Sequence, residues 1–138
     1  MSGLEVVGAL ASAIQLAETC LKITIFANDL FTRVHGAPEV IRTRITQIGQ
    51  LTEIARLIEH NLSLQTPLIE SVLGTCSKDA TSLWDTLNKL DTPATAGKTV
   101  KYWKALVGAT KENKIIRICE RLEYSKSSLT LCIASVNS

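Results

Sequence analysis

The chain opens with the stretch that decides its fold, residues 3–17, which read GLEVVGALASAIQLA. Up to Leu21 the only charged side chains are Glu5 and Glu18. Small residues recur at every fourth position in two rows, Ala9, Ala13 and Ala17 and then Gly8 and Ser12. Rows of this kind let a second helix approach closely, as they do between helices in membranes. The stretch therefore predicts a long helix whose small-residue face packs against another helix.

The same stretch is not typical of a permanent membrane span or of a signal peptide. Glu5, Gln15 and Glu18 interrupt its apolar run, whereas a span needs about 20 predominantly apolar residues. A signal peptide begins with a basic segment and ends at a cleavage site of small residues, and neither is convincing here. We therefore expect a helix that is packed in a bundle in one state and exposed in another. Tight packing inside a soluble bundle is the simpler alternative.

Length and composition indicate one helical domain, residues 1–138, with enough chain for a core that needs neither disulfides nor metals. Aromatic residues make up 4% of the chain, so Leu, Ile, Val and Ala must fill that core. Apolar residues recur at steps of three and four, which is the period of an amphipathic helix. We predict an all-α fold, a bundle of four long helices and one short helix, monomeric or weakly dimeric.

Three prolines and their turn-like neighbours divide the chain into these helices. The long helices are expected at about residues 4–34, 38–61, 67–90 and 113–136, the short helix at about 98–110, and a bend at 111–114. Thr66 and Pro67 are typical of a cap and a first helical turn. The apolar stripes predict seven buried residues, Ile45, Ile48, Leu73, Leu83, Leu87, Leu122 and Leu129.

The four cysteines fall on separate helical stripes and form no CxxC pair. This spacing favours free thiols in a reduced core, and a disulfide or a zinc site remains the alternative. The segment Gly97-Lys98-Thr99 matches the end of a phosphate-binding loop, but the upstream glycine that such a loop requires is missing. We therefore expect no catalytic residue, no cofactor, no metal and no small-molecule substrate.

The charge of the chain is unevenly distributed. The net charge is +2, with −3 on residues 1–97 and +5 on residues 98–138. Near an anionic membrane each Lys or Arg contributes about 1 kcal/mol of attraction. The plainer interpretation is that the basic residues form a solvated surface without a ligand. No motif favours binding of nucleic acid. The candidate anionic-lipid-binding residues are Lys101, Lys104, Lys114, Arg117 and Arg121.

Several segments, in their order and spacing, resemble one fungal family. These are residues 3–17, Ala37-Pro38, Trp103-Lys104-Ala105-Leu106, Glu120-Arg121-Leu122-Glu123 and Lys126-Ser127-Ser128-Leu129. Together they are similar to the HeLo-like and SesA-type domains at the N-termini of fungal STAND (NLR-like) proteins. The resemblance covers essentially the whole chain.

The resemblance implies a helical bundle that precedes nucleotide-binding and sensor domains in a longer protein. It also implies programmed cell death, through self-association and disruption of the plasma membrane by an exposed N-terminal helix. A cytoplasmic domain that moves to the plasma membrane on activation is then expected. The residues that would enter the membrane are Leu4, Glu5, Val6, Val7, Gly8, Leu10, Ala13 and Ile14. The alternative is a helical adaptor that recruits partners without touching lipid.

Overall fold

The structure is a computed structural model that describes residues 3–33, 36–89 and 107–138. Within these residues the chain forms five α-helices and one 3-10 turn, and no strand. The helices are α1 (Gly3–Arg33), α2 (Glu39–Thr46), α3 (Ile48–Glu59), α4 (Pro67–Asn88) and α5 (Gly108–Asn137), and the 3-10 turn is Leu62–Leu64. The predicted all-α bundle is confirmed.

The direction of each helix follows from the residues that it meets. The Glu70 carboxylate of α4 lies against Gly8 of α1, and Trp84 of α4 lies against Phe26, so α1 and α4 run in the same direction. Arg42 reaches back to Phe31 at the end of α1, so α2 and α3 run in the opposite direction. The α5 helix contacts α2 and α3 in parallel register, at Arg44–Glu120 and Gln50–Lys126. The topology is up-down-up-down, and α1 packs mainly against α3 and α4.

The core lies between these helices and is built almost entirely from aliphatic side chains. All seven residues that the stripes predicted to be buried are at most 3% exposed, which confirms that prediction. Leu16, Ile23 and Leu30 of α1 complete the core beside Leu73 and Leu83 of α4. A three- and four-residue period thus identified the buried face of each long helix.

The turn between α3 and α4 is fixed by two polar side chains. The Thr66 hydroxyl accepts a hydrogen bond from the Ile69 amide at 3.2 Å, with Pro67 in the first turn, as the sequence predicted. Gln65 is buried, and its Nε2 donates to the carbonyl oxygens of Ile58 at 3.1 Å and Glu59 at 3.2 Å. These bonds satisfy carbonyls that the end of α3 would otherwise leave without partners.

The helix expected over residues 38–61 is instead two helices, α2 and α3, which meet at Gln47. Gln47 keeps right-handed helical angles, but its carbonyl accepts from the Gln50 amide at 3.0 Å, a tighter bond than an α-helix uses. One residue earlier, the Thr46 hydroxyl donates to the Arg42 carbonyl at 2.7 Å. The same type of threonine bond occurs at Thr24 and Thr86 within unbroken helices, so Thr46 accompanies the break without causing it. The apolar period continues through Gln47 and does not reveal the break.

The bend expected at residues 111–114 is wrong, because α5 runs without interruption from Gly108. Lys and Glu are good helix formers, and Ile115 and Ile118 continue the buried stripe through this segment. The turn into the helix is made at Gly108, whose φ of +77° is a conformation that glycine adopts without strain. Of the short helix expected at 98–110, residues 108–110 belong to α5 and residues 98–106 lie outside the described part.

Replacing Leu83 by Ala should lower the free energy of unfolding by about 2–5 kcal/mol, because the side chain is fully buried and its removal leaves a cavity. Urea unfolding followed by circular dichroism measures the loss. Leu68→Ala on the same helix is the matched control, since Leu68 is 65% exposed, and it should change stability by less than about 0.5 kcal/mol. Equal losses in the two variants would contradict the assignment of this core face.

Candidate functional site

The candidate site is α1 itself, and its inner face is completely occupied by the bundle. Ala9, Ala13 and Ala17, the small residues in one row, are all 0% exposed. The same face continues through Cys20 and Ala27, and it packs against α3 and α4. In this folded form the small-residue row therefore serves close packing within the bundle, the simpler of the two interpretations that the sequence allowed.

Three contacts outside that row also attach α1 to its neighbours. At its start, the Glu70 carboxylate of α4 occupies the space that a Cβ on Gly8 would need, so the Glu70 side chain contacts α1 there. In its second half, the rings of Phe26 and Trp84 meet edge to face at 5.7 Å. At its end, the Arg42 guanidinium lies 5.4 Å from the centre of the Phe31 ring, and its Nη2 donates to the Phe31 carbonyl at 3.5 Å.

The same helix is long and apolar enough to cross a bilayer. The segment Gly8–Arg33 has 26 residues and reaches a mean hydropathy of 1.4. At 1.5 Å per residue it is about 39 Å long, more than the hydrocarbon core of about 30 Å. Only 33% of its apolar window is buried in the bundle. Core helices of soluble proteins pass the same test, so α1 is compatible with either environment.

The residues predicted to enter a membrane occupy the first third of α1. Gly8, Leu10 and Ile14 are half-buried, whereas Ala13 is fully buried and becomes accessible only if α1 leaves its neighbours. The side chains of the remaining four lie outside what the structure describes: Leu4, Glu5, Val6 and Val7.

Three of the five predicted anionic-lipid residues, Lys114, Arg117 and Arg121, lie in the described part of the chain, at steps of three and four along α5. Lys114 and Arg117 are exposed on α5. Arg121 instead forms an ion pair with Asp79 of α4, with 3.1 Å between Nε and Oδ1. Lys101 and Lys104 lie outside the described residues. The Asp79–Arg121 pair was missed because the partners are 42 residues apart and no local pattern connects them.

These basic residues are also distant from the start of α1. Distances along the bundle can be measured on α4. Glu70 of α4 lies beside Gly8, and Asp79, nine residues farther along α4, lies beside Arg121. Nine residues span about 14 Å, and the antiparallel course of α5 places Arg117 and Lys114 one and two turns beyond. The exposed basic side chains are therefore about 20–25 Å from Gly8 along the bundle. A membrane contacts both only if the bundle lies on its side or α1 is released.

The cysteines are free thiols, and three of the four are buried. Burial raises the pKa of Cys20 from its ordinary value of 9.0 to about 12. Burial also raises the pKa of Cys76, helped by the neighbouring Cys20 and by Asp79. For Cys119, burial raises the pKa to about 11 although the Arg44 guanidinium opposes the shift. These thiols stay protonated at neutral pH, which makes them poor nucleophiles.

Among the described residues, other candidate chemistry is not gathered into a site. His60 is exposed, with Nε2 3.9 Å from the Glu59 carboxylate. In the part of the chain that the structure describes, no three His, Cys, Asp or Glu side chains are placed to hold a metal ion. An open cleft of about 570 Å³ lies between α2 and α5, and Val40, Arg44 and Glu123 are among its lining residues.

Comparisons with protein-family models, curated proteins and solved structures return no match for this chain.

Stability should fall as the pH rises from about 9 to about 12, because the buried thiols ionise less readily in the folded chain than in the unfolded chain. Below pH 9 both states hold these protons, so the stabilisation is complete there. Thermal melts across the alkaline range measure the slope. Cys20→Ala should make the slope shallower, and Leu68→Ala, which removes no ionisable group, should leave it unchanged. Identical slopes in the two variants would contradict this account.

Proposed function

We propose that this chain is a cell-death effector domain of the fungal NLR-like type, with HeLo-like or SesA-type character. It acts without enzymatic activity, by self-association and by disrupting a membrane through α1. The inactive domain is cytoplasmic, and the activated domain moves to the plasma membrane. Nucleotide-binding and sensor domains control it in a longer protein. Its ligands are anionic lipids and further copies of itself.

The observation that carries the proposal is the dual character of α1. This helix supplies buried residues from Ala9 to Leu30, yet Gly8–Arg33 has the length and mean hydropathy of a membrane span. Single exposed apolar side chains occur on the other helices too, such as Leu68 and Leu131, but α1 combines them with the hydropathy of a span. On α1, Leu21 is 45% exposed and Ile25 is 63% exposed.

The cost of moving α1 sets the form of the mechanism. Burying a Leu or Ile side chain stabilises a fold by about 1.5–3 kcal/mol. Leu16, Ile23 and Leu30 alone are therefore worth about 5–9 kcal/mol, which is comparable to the whole stability of a typical domain. The bundle does not release α1 spontaneously. Release must be coupled to new contacts, which a membrane or an oligomer supplies as α1 leaves α3 and α4.

The adaptor function is the second candidate, and a specific observation favours it. The small-residue row that would line an oligomer of free helices is already used against α3 and α4. An adaptor needs no release of α1, because it would use only surfaces that are exposed in the folded bundle. The two functions differ in one measurable property, which is leakage of lipid vesicles.

Ala11→Arg tests the membrane role of α1 without altering the core, because Ala11 is exposed on the outer side of the helix. An Arg within a membrane-embedded helix is unfavourable, so dye release from anionic vesicles should fall at least about tenfold. The control is Ala134→Arg, which makes the same change at an exposed position of α5 and should leave leakage unchanged.

Circular dichroism first establishes that both Arg variants are folded. If the Ala11→Arg variant causes as much leakage as the parent protein, α1 is not the element that disrupts the membrane. A parent protein that is folded, self-associates and leaves vesicles intact would establish the adaptor function instead. Toxicity on expression in yeast gives a second readout for the same three proteins.

Arg117→Glu should weaken binding to anionic vesicles, and added salt should weaken the binding of the parent protein, because exposed charges are screened beyond about 8 Å at physiological ionic strength. Arg117 is suited to this test because it is exposed and makes no ion pair with another described residue. Lys78→Glu makes the same charge change on the outer face of α4 and should have a smaller effect. Vesicle co-sedimentation measures the binding of both variants. Equal losses of binding would show that only the net charge of the protein matters and that the basic residues of α5 have no special role.

A further inference from the structure

The outer face of α1 carries an apolar stripe that the bundle leaves uncovered. Ile25 is 63% exposed and Leu21 is 45% exposed, while Leu10 and Ile14 are half-buried. With Glu18 between them, these residues follow one another at steps of four, four, three and four, so they share one side of the helix. The stripe extends over about 23 Å of helix and faces away from α3 and α4.

Two charges of opposite sign lie at the middle of this stripe. Glu18 is within it and Lys22 is one turn farther along, and both side chains are exposed. Neither forms an ion pair with another residue in the described ranges. The face therefore combines apolar residues at its two ends with an unneutralised acid and base at its centre.

We propose that this outer face binds the same face of a second copy of the folded chain, with the two α1 helices antiparallel about a two-fold axis near residues 19 and 20. In that register Ile14 of one copy packs against Ile25 of the other. Each Glu18 then lies beside Leu21 and Lys22 of the other copy. A two-fold contact repeats every interaction, so the dimer contains two Glu18–Lys22 pairs and two apolar clusters.

The charges select both the occupant and the orientation. In a parallel pair Glu18 would face Glu18 and Lys22 would face Lys22, and like charges in contact are unfavourable. For the folded bundle, in which α1 has not been released, a lipid surface fits this face less well than a second copy does, because the stripe has no net charge to attract anionic headgroups and both charged groups are costly in hydrocarbon. One helix face lies at the small end of specific interfaces, so the dimer is weak and depends on concentration.

The inference does not rest on the proposed membrane function, because it concerns the folded bundle without lipid. Sedimentation velocity over a concentration series up to the millimolar range measures the association. Glu18→Lys and Lys22→Glu should each raise the dimer dissociation constant about tenfold, since each introduces two like-charge contacts. The double variant, Glu18→Lys with Lys22→Glu, should restore association to the level of the parent protein.

A second pair of variants tests the apolar part of the contact. Ile25→Asp should abolish the dimer, whereas Leu131→Asp, on α5 at a position 73% exposed, should not. Circular dichroism melts identify any variant that is unfolded. A parent protein that stays monomeric throughout the series would overturn the proposal. So would a double charge swap that fails to restore association, or a Leu131→Asp variant that dissociates as completely as Ile25→Asp.

Discussion

The packing of α1 against both α3 and α4 is the contact on which the rest of the structure depends. The alanines of its inner face allow the helices to approach closely, and larger side chains such as Leu16 and Ile23 fill the space on either side. Because α4 is held by α1, the position of α5 follows, since α5 packs mainly on α4. The α1 helix is thus the centre of the fold rather than an appendage at its N-terminus.

This central position changes how a membrane function must be understood. A terminal helix attached by a few contacts can detach at little cost, but α1 carries a large share of the buried surface. Its departure would expose the facing sides of α3 and α4 at the same time. Any activation is therefore a cooperative rearrangement of the bundle, driven by contacts that replace the lost core.

The two faces of α1 differ in composition and in their surroundings. The inner face stabilises the bundle, and the outer face combines Leu21 and Ile25 with Glu18 and Lys22. The basic side chains of α5 lie far along the bundle from the start of α1, and one of them, Arg121, is already paired with Asp79. In the proposed membrane mechanism, electrostatic attraction to a surface and insertion of α1 would consequently be separate steps.

The sequence by itself determined the fold class, the long helices and the buried residues, because helical periodicity is a local property and the core follows from it. It also determined the cap at Thr66, where the residue types alone specify the hydrogen bond. The break at Gln47 and the uninterrupted start of α5 are set by backbone hydrogen bonds that the apolar period does not encode. Only the tertiary structure decided the pairing of Arg121 and the half of α1 that remains exposed, because these depend on which helix lies beside which, and residues distant in sequence make those contacts. A single chain's local pattern contains no record of them.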